Sequence, residues 1–343
     1  MSAVEDVVTE PPAVAAVPKK ALALGPVASL VVLALLIATP LFVKNFIIFQ
    51  MTMWLIYAIA VLALNILTGG SGQFSLGQSA FYAIGAYTSA ILMEHGDVNY
   101  ILTLPVAGLI CFIAGFLFGL PALRLSGIYL ALATFALAVA MPQLLKLGVF
   151  EHWTGGVQGL VVTKPEAPEI FATMGLKVSQ DMWLYYFTLV VSIMIYVFSV
   201  NLLKSRSGRA MMAIRDNEIA ASAMGVDVSL YKTLAFGVSA GITGVAGGLG
   251  GIAVQFVAPD GYTIQLAVAL FLGMVVGGVG WLPGSLAGAA FIVFVPNLAE
   301  HISKGLSGAV FGVILILIIF LVPHGARQIA YGAQSLIGKL RKN

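Results

Sequence analysis

Ten apolar stretches run through the chain, at 22–43, 46–68, 74–93, 101–120, 127–147, 182–203, 233–256, 262–280, 284–299 and 305–323, and none carries an Asp, Glu, Lys, Arg or His near its middle. A bilayer core about 30 Å thick is crossed by about 20 apolar residues rising 1.5 Å each. These lengths therefore predict an all-α polytopic membrane protein of about ten transmembrane helices. Because 74–93, 262–280 and 284–299 are short or interrupted by Gly, the count lies between eight and eleven. Only 9% of the 343 residues are charged and 60% are hydrophobic, against about 25% charged in a soluble globule. Such a chain cannot cover a globular surface in water, which excludes a soluble enzyme, a nucleic-acid-binding domain and a disordered scaffold. The net charge of +3 is too small to attract nucleic acid.

Lys and Arg are shared unevenly among the connections, and cytoplasmic loops carry the excess. With both termini cytoplasmic, the inner side holds Lys19, Lys20, Arg124, Lys204, Arg206, Arg209, Arg215, Lys232, Arg327, Lys339, Arg341 and Lys342. The outer side holds Lys44, Lys146, Lys164, Lys177 and Lys304. The organisation expected is a disordered cytoplasmic tail over 1–20, a membrane domain over 21–325, and a basic cytoplasmic tail over 326–343. Within the membrane domain, 148–181 is an outer loop and 204–232 a basic inner loop.

No ionisable group sits at bilayer depth, which argues against a proton-driven carrier, since a titrating relay has to meet the proton there. His95, His152, His301 and His324 are scattered over different loops without the spacing of a metallohydrolase, and no metal site is expected. A sodium-coupled carrier survives this test, because unwound backbone carbonyls can hold sodium. The nearest approach to a phosphate-binding loop, Gly332 to Lys339, has one residue too many and Leu340 in place of Ser or Thr. The chain is therefore not expected to bind or hydrolyse ATP itself.

Glycines crowd 69–77 and 277–288, and such density leaves a helix free to break. GGSGQFSLGQSAF at 69–81 and GGVGWLPGSLAGAAF at 277–291 share a GGxG start, a Ser-Leu step and a closing Phe, a hint of two related halves with discontinuous helices beside a transport route. Neutral polar groups inside the runs include Asn65, Thr88, Thr134, Gln143, Thr243, Gln255, Gln265 and Asn297. The candidates for the lining of a route are Gln73, Ser75, Gln78, Ser79, Tyr82, Tyr87, Gly277 and Gly278. The competing role for each is interhelical hydrogen bonding or close packing.

The segment 209–225, RAMMAIRDNEIAASAMG, reads as a two-turn helix about 10 Å long. Asn217 can cap it, Glu218 sits at its positive end, Ala220 to Met224 propagate it and Gly225 can close it in a left-handed conformation. A short rigid helix of this kind can dock into a groove on a soluble partner.

The string SGRAMMAIRDNEIAASAMGVDVSLYKTLAF strongly resembles the cytoplasmic loop of permease subunits of bacterial branched-chain amino acid ABC transporters. GQFSLGQSAFYAIGAYTSA, beginning at Gly72, and TGGVQGL at 154–160 are similar to that family's early transmembrane and outer-loop signatures. The likeness covers roughly 45–325 and is closer to the M-type than to the H-type permease. The general pattern Glu-Ala-Ala then Gly appears here as Glu218-Ile219-Ala220-Ala221, with Gly225 one place late. The resemblance implies an ABC importer permease fold in the bacterial inner membrane. It also implies a sister permease, two cytoplasmic ATPases that bind ATP and magnesium, and a periplasmic solute-binding protein. Arg209, Arg215, Asp216, Asn217, Glu218, Ala220, Ala221 and Gly225 would then couple ATP-driven closure to the helices lining a central path. The solute implied is a branched-chain amino acid, with urea or short amides as the alternative within the same machinery. A sodium-coupled carrier and a passive membrane scaffold are the alternatives outside it.

Overall fold

The computed structural model describes residues 26–122, 127–167, 179–302 and scattered residues between 312 and 328. Helices α1 (Pro26–Ala38), α2 (Asn45–Asn65), α3 (Gln78–Glu94), α4 (Tyr100–Ala122) and α5 (Ile128–Leu145) occupy the first five apolar runs. A single turn α6 (Glu151–Thr154) and strand β1 (Leu160–Val161) precede α7 (Gln180–Lys204), α8 (Arg206–Asp216), α9 (Glu218–Ala223) and α10 (Val228–Val254). Strand β2 (Phe256–Val257), α11 (Ile264–Gly277) and α12 (Gly284–Ile302) follow. Nine of the ten apolar runs are thus helical; the run 305–323 and the tails 1–20 and 326–343 lie wholly or mostly outside the described residues. Among the described residues six helical segments are long and apolar enough to cross a membrane: Asn45–Gly70, Tyr100–Pro121, Ile128–Leu145, Gln180–Lys204, Val228–Val254 and Pro259–Gly277. α1, α3 and α12 are shorter or only just long enough.

Contacts between the connections show that the helices alternate in direction. At one end Lys146 pairs with Asp260 at 2.5 Å, β1 pairs antiparallel with β2, and the His95 ring lies 6.0 Å from His152 and 5.5 Å from Trp153. At the other end Arg215 of α8 meets the close of α2 at Gly69, and the 278–283 turn packs on the same glycine. Gly325 returns to this second end, with its backbone against Gly278.

α10 is the centre of the bundle, almost wholly buried between α2, α3 and α4. Small residues make this possible, since in lipid helices associate by close packing and not by hydrophobic exclusion. A Cβ on Gly85 of α3 would overlap the backbone of Gly244, and one on Gly247 would overlap the carbonyl of Tyr82. On the opposite face Gly241 lies against Gly108 and Phe112 of α4. α11 and α12 form a hairpin on the same principle, Gly273 facing Gly288 and Gly277 facing Gly284. Side-chain bonds to backbone carbonyls tie the outer helices on: Tyr185 Oη donates to Leu36 O at 2.8 Å, and Trp54 Nε1 to Leu286 O at 2.8 Å.

The basic segment 204–232, expected to be a loop with one short helix, contains two helices. α8 is the addition: Ser205 caps it by accepting from the Gly208 N–H at 3.3 Å, and Met211 and Ile214, three residues apart, are buried on one face. Met211 packs into a cluster with Leu67, Phe81, Phe236 and Ala240, which fixes α8 against the bundle.

Candidate functional site

Two features set this bundle apart from a plain packing of apolar helices: a short exposed helix at one end, and backbone that leaves the helical path at two places above it.

The exposed helix is α9. Asn217 takes an extended conformation and its Oδ1 accepts the Ala220 N–H at 2.9 Å, so the cap expected from the sequence forms. At its far end the Val226 N–H donates to Ala221 O at 3.1 Å and Gly225 has φ +82°, a left-handed closure that suits Gly. The late Gly noted in the sequence is accommodated because Met224 serves as the C-cap before it. Glu218 pairs with Lys232 at 2.6 Å, and Ala221 is buried. Ile219 and Met224, 84% and 85% exposed, extend two large apolar side chains into open space. Arg209 donates to Lys204 O, and Arg215 and Asp216 form an ion pair just before the cap.

The first break begins at Ile66–Gly70, which closes α2 as a π-helical turn. The chain then runs without helix through 72–77 before α3 starts at Gln78. Irregular backbone in a membrane protein survives away from water only where protein satisfies it, and here it does. Gln73 Nε2 donates to Ser71 Oγ and Lys232 O, both at 3.0 Å, the Leu76 N–H to Thr134 Oγ1 at 3.0 Å, and the Gly77 N–H to Ser75 Oγ at 3.2 Å. A cavity of about 360 Å³ opens beside this segment, lined by Phe74, Leu76, Ile128, Ala131 and Phe271 with Ser75 as its polar member. Its lining is otherwise apolar, with two Phe rings beside the aliphatic side chains.

The second break is the 278–283 turn between α11 and α12, where Gly278 and Gly280 have φ +100° and +78°. Asn65, 1% exposed, clasps it. Its Oδ1 accepts the Gly280 N–H at 2.7 Å, and its Nδ2 donates to Trp281 O at 3.1 Å and Gly278 O at 3.3 Å. The two glycine segments that look alike in sequence are therefore both helix breaks, and they touch, since a Cβ on Gly69 would lie 2.5 Å from Gly280 N. They lie at the junctions of the second and third and of the eighth and ninth runs.

The remaining candidates for the route separate into different settings. Gln78 binds across to α10, donating to Ser239 Oγ at 2.9 Å and accepting from Thr243 Oγ1 at 2.7 Å, while Ser239 in turn donates to Ala63 O at 2.8 Å. This ties α2, α3 and α10 together at one level. Gln78→Leu should therefore cost about 1–2 kcal/mol, seen as a lower thermal midpoint in detergent. An unchanged midpoint with impaired uptake would instead place Gln78 on the route. Ser79 Oγ is buried without a hydrogen-bond partner, as is Tyr87 Oη. Tyr82 and Tyr87 meet through Tyr262, with ring centroids 5.9 and 6.2 Å away, and Tyr57 stacks on Tyr82 at 6.3 Å. Tyr57 and Tyr262 escaped sequence reasoning because the first sits in an unbroken apolar run and the second at the very start of another. Gly277 packs on Gly284, and Gly278 belongs to the turn held by Asn65. Among the described residues no three His, Cys, Asp or Glu side chains gather as metal ligands would.

The fold and site define an all-α polytopic membrane protein whose two helix breaks touch at the end from which a capped helix projects. The chain belongs to the branched-chain amino acid transport system permease component family, whose sequence profile matches residues 46–319. It is 31% identical over 313 residues to the high-affinity branched-chain amino acid transport system permease protein LivM of Escherichia coli K12, covering 85% of this chain and 72% of that protein. LivM of Salmonella typhimurium LT2 is similar to the same degree. A probable LivH permease of Methanocaldococcus jannaschii is 25% identical over 257 residues, 72% of this chain and 81% of that one. No solved structure matches the chain significantly.

Proposed function

We propose that this chain is the M-type permease subunit of an ATP-driven importer that moves branched-chain amino acids across the bacterial inner membrane, with both termini cytoplasmic. The observation that carries the reading is α9, a capped and closed helix with Ile219 and Met224 bare on its surface. Two exposed large apolar side chains on so short a rigid helix are the anchors of a docking contact. Two cytoplasmic ATPases, which hold the ATP and magnesium, are the partners that fit this end. A sister permease completes the path, and a periplasmic solute-binding protein meets the opposite end over 148–181.

The test is to tag the chain, extract it gently from its own membrane and identify its companions by mass spectrometry. A second permease and two ATPase subunits are expected. A chain that emerges alone and moves solute down a sodium gradient without ATP would overturn the reading in favour of a secondary carrier.

A further inference from the structure

We infer that Arg215 is a positioning residue that carries the displacement of α9 into the π-helical end of α2 and, through Asn65, into the α11–α12 hairpin. The inference rests on the coupling role proposed above for α9 and specifies how its motion reaches the membrane helices.

The guanidinium is held in one orientation. Its Nε and Nη2 donate to Asp216 Oδ1 at 2.9 and 2.7 Å, so its plane is tied to the residue immediately before the α9 cap. Its Nη1 donates to Gly69 O at 2.7 Å. That carbonyl lies in the last turn of α2, where partial negative charge collects and a cation is favoured. The bond is charge-assisted, and it is part-buried, where such bonds are strongest. The aliphatic stem is gripped as well: a Cβ on Gly72, whose φ is +73°, would come within 3.0 Å of Arg215 Cγ.

Gly69 is the node. One side of it holds the arginine and the other lies directly on the 278–283 turn, with 2.5 Å between a Cβ there and Gly280 N and 2.7 Å to Asn65 Oδ1. Asn65, one turn earlier in α2, grips Gly278, Gly280 and Trp281. From the cap of α9 to the hairpin there is thus a continuous sequence of ion pair, hydrogen bond and backbone contact, with no flexible apolar side chain in it. A π-helical turn carries one residue more than the α-helical register and is a frequent site of functional adjustment. A pull on Gly69 O acts where α2 yields most readily, and the Asn65 clasp makes the hairpin follow.

The experiment uses the transporter purified with its partners, reconstituted in vesicles, and reads solute moved per ATP hydrolysed. Arg215→Gln, which keeps the inner part of the stem and an amide donor but removes the charge and the reach to Gly69 O, should lower that ratio ten-fold or more in complexes that assemble. Arg215→Lys, a cation without the fork, should recover part of it. Adding Asn65→Ala to Arg215→Gln should cause little further loss if both residues act on one path, and losses that multiply would overturn the connection. An unchanged ratio in Arg215→Gln beside a lost ratio in Glu218→Lys sinks the inference and leaves the proposed function standing. If both variants keep the ratio, the coupling role of α9 falls as well. Hydrogen exchange in the unmutated complex gives a check independent of the variants. Amides at 66–72 and 278–281 should change protection together with 217–223 when ATP is added, and a response confined to 217–223 would refute the path.

Discussion

Gly85→Val is expected to abolish folded protein. A Cβ at Gly85 would overlap the Gly244 carbonyl and Cα, backbone on both sides, so no side chain can turn aside to admit it. The two helices would have to separate at the centre of the bundle. Overpacking typically costs about 1–3 kcal/mol, and a clash of backbone against backbone belongs at or above the top of that range. The expected readout is loss of the monodisperse peak in detergent chromatography. Gly148→Ala, with open space around the new methyl group and an ordinary φ, should elute and melt as the parent does. A Gly85→Val protein with the parental midpoint would refute the close approach of α3 and α10.

Gly225→Pro should behave in the opposite way, leaving the bundle intact and removing transport. Its φ of +82° is out of reach for Pro, which is held near −65°, so the left-handed closure of α9 cannot form. Nothing lies within 4 Å of a Cβ there, so the damage stays local. Glu218→Lys should act similarly by setting two cations where Glu218 and Lys232 now pair. Glu218 is half exposed, and an ion pair open to water on one side contributes about 1 kcal/mol or less to stability, so the loss should appear chiefly in transport and little in the melting midpoint. Uptake in cells should fall to background in both variants while the amount inserted in the membrane stays at the parental level. Normal uptake in both would remove α9 from the mechanism.

Much of this architecture was legible because lipid imposes a length and forbids charge. The runs end close to where the helices end, as at Tyr100–Ala122 against 101–120 and Gln180–Lys204 against 182–203. The cap at Asn217 and the closure at Gly225 were readable because both are local, settled by residues within one turn. α8 was not, because Arg206, Arg209, Arg215 and Asp216 dominate its composition and hide the buried stripe of Gly208, Met211 and Ile214. Neither hydropathy nor periodicity separates a π-helical turn from the α-helix it ends, so Ile66–Gly70 looked like the close of an ordinary span. The candidate route suffered most. Gln78 and Asn65 are equally polar in an apolar run, yet their partners lie 161 to 216 residues away, and only the folded chain says which helices they join.

The packing of α10 also bears on how such a chain is made. The helix on which α2, α3 and α4 rest has a mean hydropathy of only 1.5, against 2.5 for α4, because glycine has replaced the larger apolar side chains. Lipid alone accepts it less readily than α2 or α4. During synthesis α2, α3 and α4 emerge first, so its small-residue faces meet partners already resident in the bilayer. Biogenesis of this protein should therefore depend on gene order. A circular permutant that delivers α10 ahead of α2 and α4 would present the insertion machinery with this glycine-rich span before its close-packing partners exist to receive it.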